Sequence, residues 1–164
     1  MNDEKGQLSG EYMLLVGSLI VVLMISIFMI ANENELNIAM AAAKSGADEG
    51  VASSSSAIYP KETFNEYDDM EGLKHPYSVS IVNVSYNSSG IDENYGKQKI
   101  QFKVYAKASA DYNKKELDSI GDRINYNLRK SVAMSFNTAY STNKLYNPVF
   151  SNNYVFTTAN VVWV

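Results

Sequence analysis

The chain has 164 residues, enough for one modest domain, and a net charge of −4 that argues against a nucleic-acid partner. It has no cysteine and a single histidine, His75, so thiol nucleophiles, disulfides and cysteine-based zinc sites are excluded. A fold without disulfides must be held by core packing or by assembly with other subunits.

The first element is an apolar run. Residues 13–31 are nineteen in succession without a charge. As a helix rising 1.5 Å per residue they extend about 28 Å, close to the roughly 30 Å hydrocarbon core of a bilayer. The apolar core of an ordinary signal peptide has only about 7–15 residues. The run can therefore span a membrane, and a buried core helix is the alternative. A secretory cleavage site would put small residues at its far end, but that end reads IFMIANENEL. Small and polar residues cluster on the near side instead, at Gly6, Gln7, Ser9 and Gly10. Processing there would keep the apolar segment. Lys5 is the only base before the run, and the next is Lys44, so no basic patch for anionic lipid follows it. Because Lys and Arg set orientation, the N-terminus is read as cytoplasmic and the remainder as exported.

The residues KGQLSGEY at 5–12, followed at once by the uncharged run, resemble the class III signal peptide of archaeal type IV pilin-like proteins. The resemblance covers about the first 30 residues and rests on the Lys-Gly-Gln-x-Ser-x-Glu spacing. It implies that a membrane prepilin peptidase cuts between Gly6 and Gln7. Residues 1–6 would be lost, Gln7 would become the first residue and Glu11 the fifth. The resemblance further implies a pilin role, in which that fifth-position acid pairs with the first-residue amine of a neighbouring subunit.

From the residues alone, Glu11 has two readings. A carboxylate near a helix start is favoured by the macrodipole by about 0.3–1 kcal/mol, which would make it an interfacial acid. Drawn into hydrocarbon it would cost about 2.5–3.5 kcal/mol and need a partner, and the amine created by cleavage is a nearby cation. The second reading gives Glu11 a role in assembly.

Beyond the run, residues 32–59 have no proline and favour helix, except that Gly46 and Gly50 each cost about 1 kcal/mol. Ala39, Ala43, Gly46, Gly50, Ser53 and Ala57 recur at spacings of four and three, which aligns small residues in one stripe. Leu36, Met40, Ala47, Val51 and Ile58 run beside it. A small-residue stripe lets another backbone approach closely. Filament packing would assign Gly46 and Gly50 to assembly. The other reading is a surface helix covered by its own domain, and residues 53–56 also suit a Ser-rich linker. A helix continuous from about 7 to about 58 would be about 75 Å long, so its second half must pack on something outside the bilayer.

Residues 60–164 form the predicted exported head. Residues 78–86 alternate as a strand, 87–96 read as a turn or loop, and 99–108 alternate strictly. Ile100, Phe102, Val104, Ala106 and Ala108 are placed inward, with Lys99, Lys103 and Lys107 toward solvent. Residues 113–140 read as a second helix, with Leu117, Ile120, Ile124, Leu128, Val132 and Phe136 spaced by three or four and Asp111 or Asn113 as its cap. Asn147 and Pro148 break the chain, and 154–164 supply a last strand. The fold class is α+β: a long N-terminal hydrophobic helix of type IV pilin kind, and a small C-terminal antiparallel sheet head containing a second helix. The sheet is expected on the outer half of the first helix. Sequons at Asn83 and Asn87 would suit glycans on an exported head. Asn87 is preferred, because Asn83 would be occluded if it faced the sheet core.

Nothing in the chain reads as catalytic. Asp68, Asp69 and Glu71 cluster, as do Asp92 and Glu93, but without calcium-loop spacing they read as a solvated face. His75 has no motif that would make it a base or a ligand. No nucleophile elbow, phosphate loop or dinucleotide fingerprint occurs. No enzyme, metal or cofactor is expected. The twelve tyrosines could serve adhesion, though sheet packing explains most of them. The function expected is a pilin subunit of a surface filament, with identical or related subunits, the prepilin peptidase and, before assembly, the cytoplasmic membrane as partners. The alternative is a single-pass anchored surface protein whose head binds a partner without polymerising.

Overall fold

The computed structural model of the chain describes residues 3–52, 79–109 and 111–164. The chain divides into two compact units, Met1–Asn37 and Ile38–Val164.

Helix α1 is Asp3–Ala52, 50 residues. Its part within the first unit carries the apolar run. Leu14, Leu15, Leu19, Ile20, Leu23, Ile27 and Ile30 are all more than half exposed, so apolar side chains cover every face. An apolar helix normally hides such surface in a core or in lipid. Among the described residues none buries the apolar window, and the helix is long and apolar enough to cross a membrane. The hydroxyls of Ser18 and Ser26 donate back to the carbonyls of Leu15 and Val22, at 2.8 and 2.9 Å. Those polar groups are thereby satisfied inside the helix, as an apolar surrounding demands.

In the second unit the end of α1 shows a different surface. Ala39, Ala42, Ala43, Gly46, Ala47 and Gly50 are buried, while Lys44, Ser45, Asp48 and Glu49 are exposed. The small-residue stripe is thus the covered face of the helix. The part of the stripe beyond Ala52, with Ser53, Ala57 and the linker at 53–56, lies outside the described residues, as do Asp68, Asp69, Glu71 and His75.

The sheet has five strands: β1 (Val79–Asp92), β2 (Lys97–Ala108), β3 (Val149–Phe150), β4 (Tyr154–Thr158) and β5 (Val162–Trp163). The order is β1-β2-β4-β3, with β5 also on β2. β1 and β2 form an antiparallel hairpin. β4 and β5 both pair with β2 in parallel, so the sheet is mixed, not purely antiparallel. The reason lies in the connection. The second helix, α2 (Lys114–Ser135), and the segment after it return the chain to the end where β2 began, and a strand that starts from there runs parallel. The single last strand expected at 154–164 is two, and Ala159 between them donates its N–H to Phe102 O of β2 (2.8 Å).

The hairpin is longer than the alternation suggested. The expected loop at 87–96 is strand as far as Asp92, because an extra residue near Gly90 (φ +82°) is taken up as a bulge between Ser88 and Ile91. Gly96 then closes the turn at φ +63°, with its N–H on Asp92 O at 2.8 Å.

The core lies between the sheet and α2. Ile100, Phe102, Val104 and Ala106 from β2 are buried with Ile120, Ile124, Leu128 and Val132 from α2. Phe156 of β4 stacks on Phe102 (5.6 Å) and on Phe136 (5.8 Å). Each fully buried side chain of this size is worth about 1.5–3 kcal/mol. α2 starts with a complete capping box: Asn113 Oδ1 accepts from Glu116 N–H and Glu116 Oε2 accepts from Asn113 N–H, both at 2.9 Å. It ends in a Schellman motif, with Asn137 at φ 54°, its N–H on Met134 O, and Thr138 N–H on Ala133 O.

Candidate functional site

The residues singled out by the sequence fall in three places. Gly6 and Gln7 lie in the first turns of α1. Glu11 is exposed on the same helix, two residues before the apolar run. Near it, a Cβ added at Gly10 or Gly17 would meet nothing within 4 Å, so this length of helix is open to close approach by another backbone.

Gly46 and Gly50 are in a different situation. A Cβ on Gly46 would lie 2.6 Å from Asn127 O and 2.8 Å from Leu128 Cα. One on Gly50 would lie 2.8 Å from Ile124 Cα. Both glycines are therefore already in contact with the backbone of α2 in the same chain. The element they meet is α2, where the sheet had been expected. Of the two readings of the small-residue stripe, this contact is the one in which the chain's own domain covers it. Asn127, buried there, keeps its amide on Arg123 O at 3.1 Å.

Asn83 and Asn87 are both exposed. A bulge between Ile81 and Asn83 decides this for Asn83. Val79 and Ile81 pair with Ala108 and Ala106 on the core side. One extra residue, Val82, then moves Val84 opposite Val104 and turns Asn83 outward beside Tyr105. The occlusion feared for Asn83 does not arise, and geometry no longer favours Asn87 over it.

Asp92 pairs with Lys99 at 3.9 Å and accepts from Asn94 N–H at 3.0 Å, which makes it a turn residue. Among the described residues no three His, Asp or Glu side chains come close enough to hold a metal ion.

Sequence reasoning passed over one concave feature. A cleft of about 330 Å³ opens between the first half of α2 and the 160–163 segment, lined by Lys114, Asp118, Asp122, Asn125, Asn160 and Trp163 among others. Its signal was present: Lys114, Asp118 and Asp122 are spaced i, i+4, i+8 and so share a helix face. Burial pushes the Asp122 carboxyl above the usual carboxylate range; the guanidinium of Arg129 opposes this and the charge of Asp118 adds to it.

No protein-family profile matches the chain, and neither a curated protein nor a solved structure matches it.

Proposed function

We propose that this chain is a pilin-like structural subunit of a surface filament, made as a membrane precursor and assembled through α1. The observation that carries the reading is the apolar window of α1, which the described residues leave wholly uncovered. Such a surface needs lipid before assembly and neighbouring helices after it. The class III resemblance adds the route. A prepilin peptidase removes residues 1–6, and the new amine of Gln7 pairs with Glu11 of an adjacent subunit inside an apolar helix bundle. The head forms the outside of an archaeal type IV pilus-like filament and serves adhesion or surface contact, with Asn83 and Asn87 as glycan sites.

A second reading is favoured by one observation. In the described part of the stripe, Gly46 and Gly50 pack on α2 of the same chain, so those two glycines offer no vacant face for a neighbour. That leaves assembly to rest on the segment before residue 38, and a single-pass anchored surface protein needs nothing more than that segment.

N-terminal sequencing of the cellular protein tests the first reading. A start at Gln7 is expected, and a start at Met1 or Asn2 would overturn it. Electron microscopy of sheared cell-surface material then separates the two readings, since a non-polymerising anchor yields no filaments.

A further inference from the structure

We propose that the cleft between α2 and the 160–163 segment binds a saccharide, one sugar ring seated against Trp163 with its hydroxyls held by Asp118, Asp122, Asn160 and Lys114. This names what an outward-facing head would hold, and rests on the reading above for its place at the cell surface but not for its chemistry.

The cleft holds about 330 Å³, at the small end of the roughly 300–1,000 Å³ of ligand sites, which fits a single ring better than a long polymer. Its lining combines opposite properties. Leu117, Trp163 and Val161 supply an apolar wall, and the last two lie beside Gly121 of α2, where an added Cβ would stand in ordinary contact with Val161 at 3.4 Å and Trp163 at 3.9 Å. The polar lining has two carboxylates, two amides and one ammonium. A sugar ring has the same split, with C–H groups on its faces and hydroxyls around its edge. Its C–H face suits an indole, and its hydroxyls donate to carboxylates and accept from an ammonium.

The polar groups are also uncommitted. Among the described residues, the side chains of Asp118, Lys114 and Asn160 have no hydrogen bond or ion pair, and Asp122 has only the longer-range attraction of Arg129. Asn125, 6% exposed, donates its amide to Ala159 O at 3.0 Å, while its Oδ1 accepts no hydrogen bond. A buried amide oxygen left in that state costs free energy that a ligand hydroxyl or a bridging water would recover. Asp118 and Asp122 are one turn apart and their charges oppose each other. Hydroxyl donors relieve that repulsion, whereas a purely apolar ligand would worsen it.

Trp163 is the only tryptophan, so its fluorescence reports on this cleft and nothing else. The full chain in a zwitterionic, sugar-free detergent is titrated with the methyl glycosides of glucose, galactose, mannose and N-acetylglucosamine. At least one is expected to give a saturable change in emission. Asp122→Asn and, separately, Asp118→Asn should weaken that titration about tenfold or more, the effect of losing a charged hydrogen-bond acceptor. Circular dichroism checks that both variants fold. The proposal is overturned if no glycoside gives a saturable change, or if both variants titrate as the wild type does. Binding by a chain that never polymerises would uphold the cleft and sink the filament reading, and filaments from a chain that binds no glycoside would do the reverse.

Discussion

A Cβ placed on Gly46 would stand 2.6 Å from the backbone carbonyl oxygen of Asn127. A side chain cannot rotate out of that contact, because the obstruction is backbone on both sides. Gly46→Ala is therefore expected to lower the stability of the head by about 1–3 kcal/mol, and Gly46→Leu by more. Chemical denaturation of the full chain in detergent measures this, with Gly17→Ala as a control that meets open space. Filament packing alone predicted blocked assembly with a folded head; the contact with α2 predicts that the head itself is disturbed.

Glu11→Gln separates the two readings of that acid. It removes the charge and keeps the size, so membrane insertion should be unaffected or slightly improved. If Glu11 pairs with the Gln7 amine of a neighbour, processed subunits accumulate in the membrane and filaments are lost. Immunoblotting of membrane and sheared fractions reads both quantities. Normal filament yield from the variant would return Glu11 to the role of an interfacial acid.

Asn113→Ala removes one half of the capping box at the start of α2: the backbone N–H of Glu116 loses its acceptor, while the Glu116 carboxylate keeps the backbone N–H of residue 113. A loss of about 1 kcal/mol is expected. Since α2 carries Ile124, Leu128 and the contact to Gly46, the loss should appear in the unfolding of the whole head and not as local fraying.

The carboxyl of Asp122 lies above its usual pKa, chiefly through desolvation. A carboxyl raised in the folded state binds its proton more tightly there than in the unfolded chain. Its contribution is thus present below the ordinary carboxylate pKa and is lost as pH rises through the raised value. Asp122→Asn, which cannot ionise, should match the wild type in acid and exceed it in stability near neutral pH. Urea midpoints measured across that range check the sign, and a variant less stable at neutral pH would contradict it.

Much of the architecture follows from local pattern. Nineteen uncharged residues make a membrane-length helix whatever surrounds them, because every face of the helix is apolar. The strict alternation of Ile100, Phe102, Val104 and Ala106 marks one buried strand face, and the three- and four-residue spacing from Ile120 to Val132 marks a helix with one buried side. Even the buried stripe of Ala39, Ala43, Gly46 and Gly50 is visible as a row of small residues.

What covers that stripe is not visible, because small residues admit any backbone equally and only the path of the chain brings α2 to them. The same holds for the outward turn of Asn83, which depends on one extra residue at Val82 that alternation cannot distinguish from regular strand. It holds also for the parallel pairing of β4 and β5, which follows from where α2 returns the chain. The cleft is the clearest case. Asp122 and Trp163 are forty-one positions apart, and only the parallel docking of β5 on β2 sets them around one cavity. Sequence by itself determined the elements and their buried faces, since periodicity is a local property. Tertiary structure alone decided which faces meet and what space is left between them, since those depend on contacts between residues far apart in the chain.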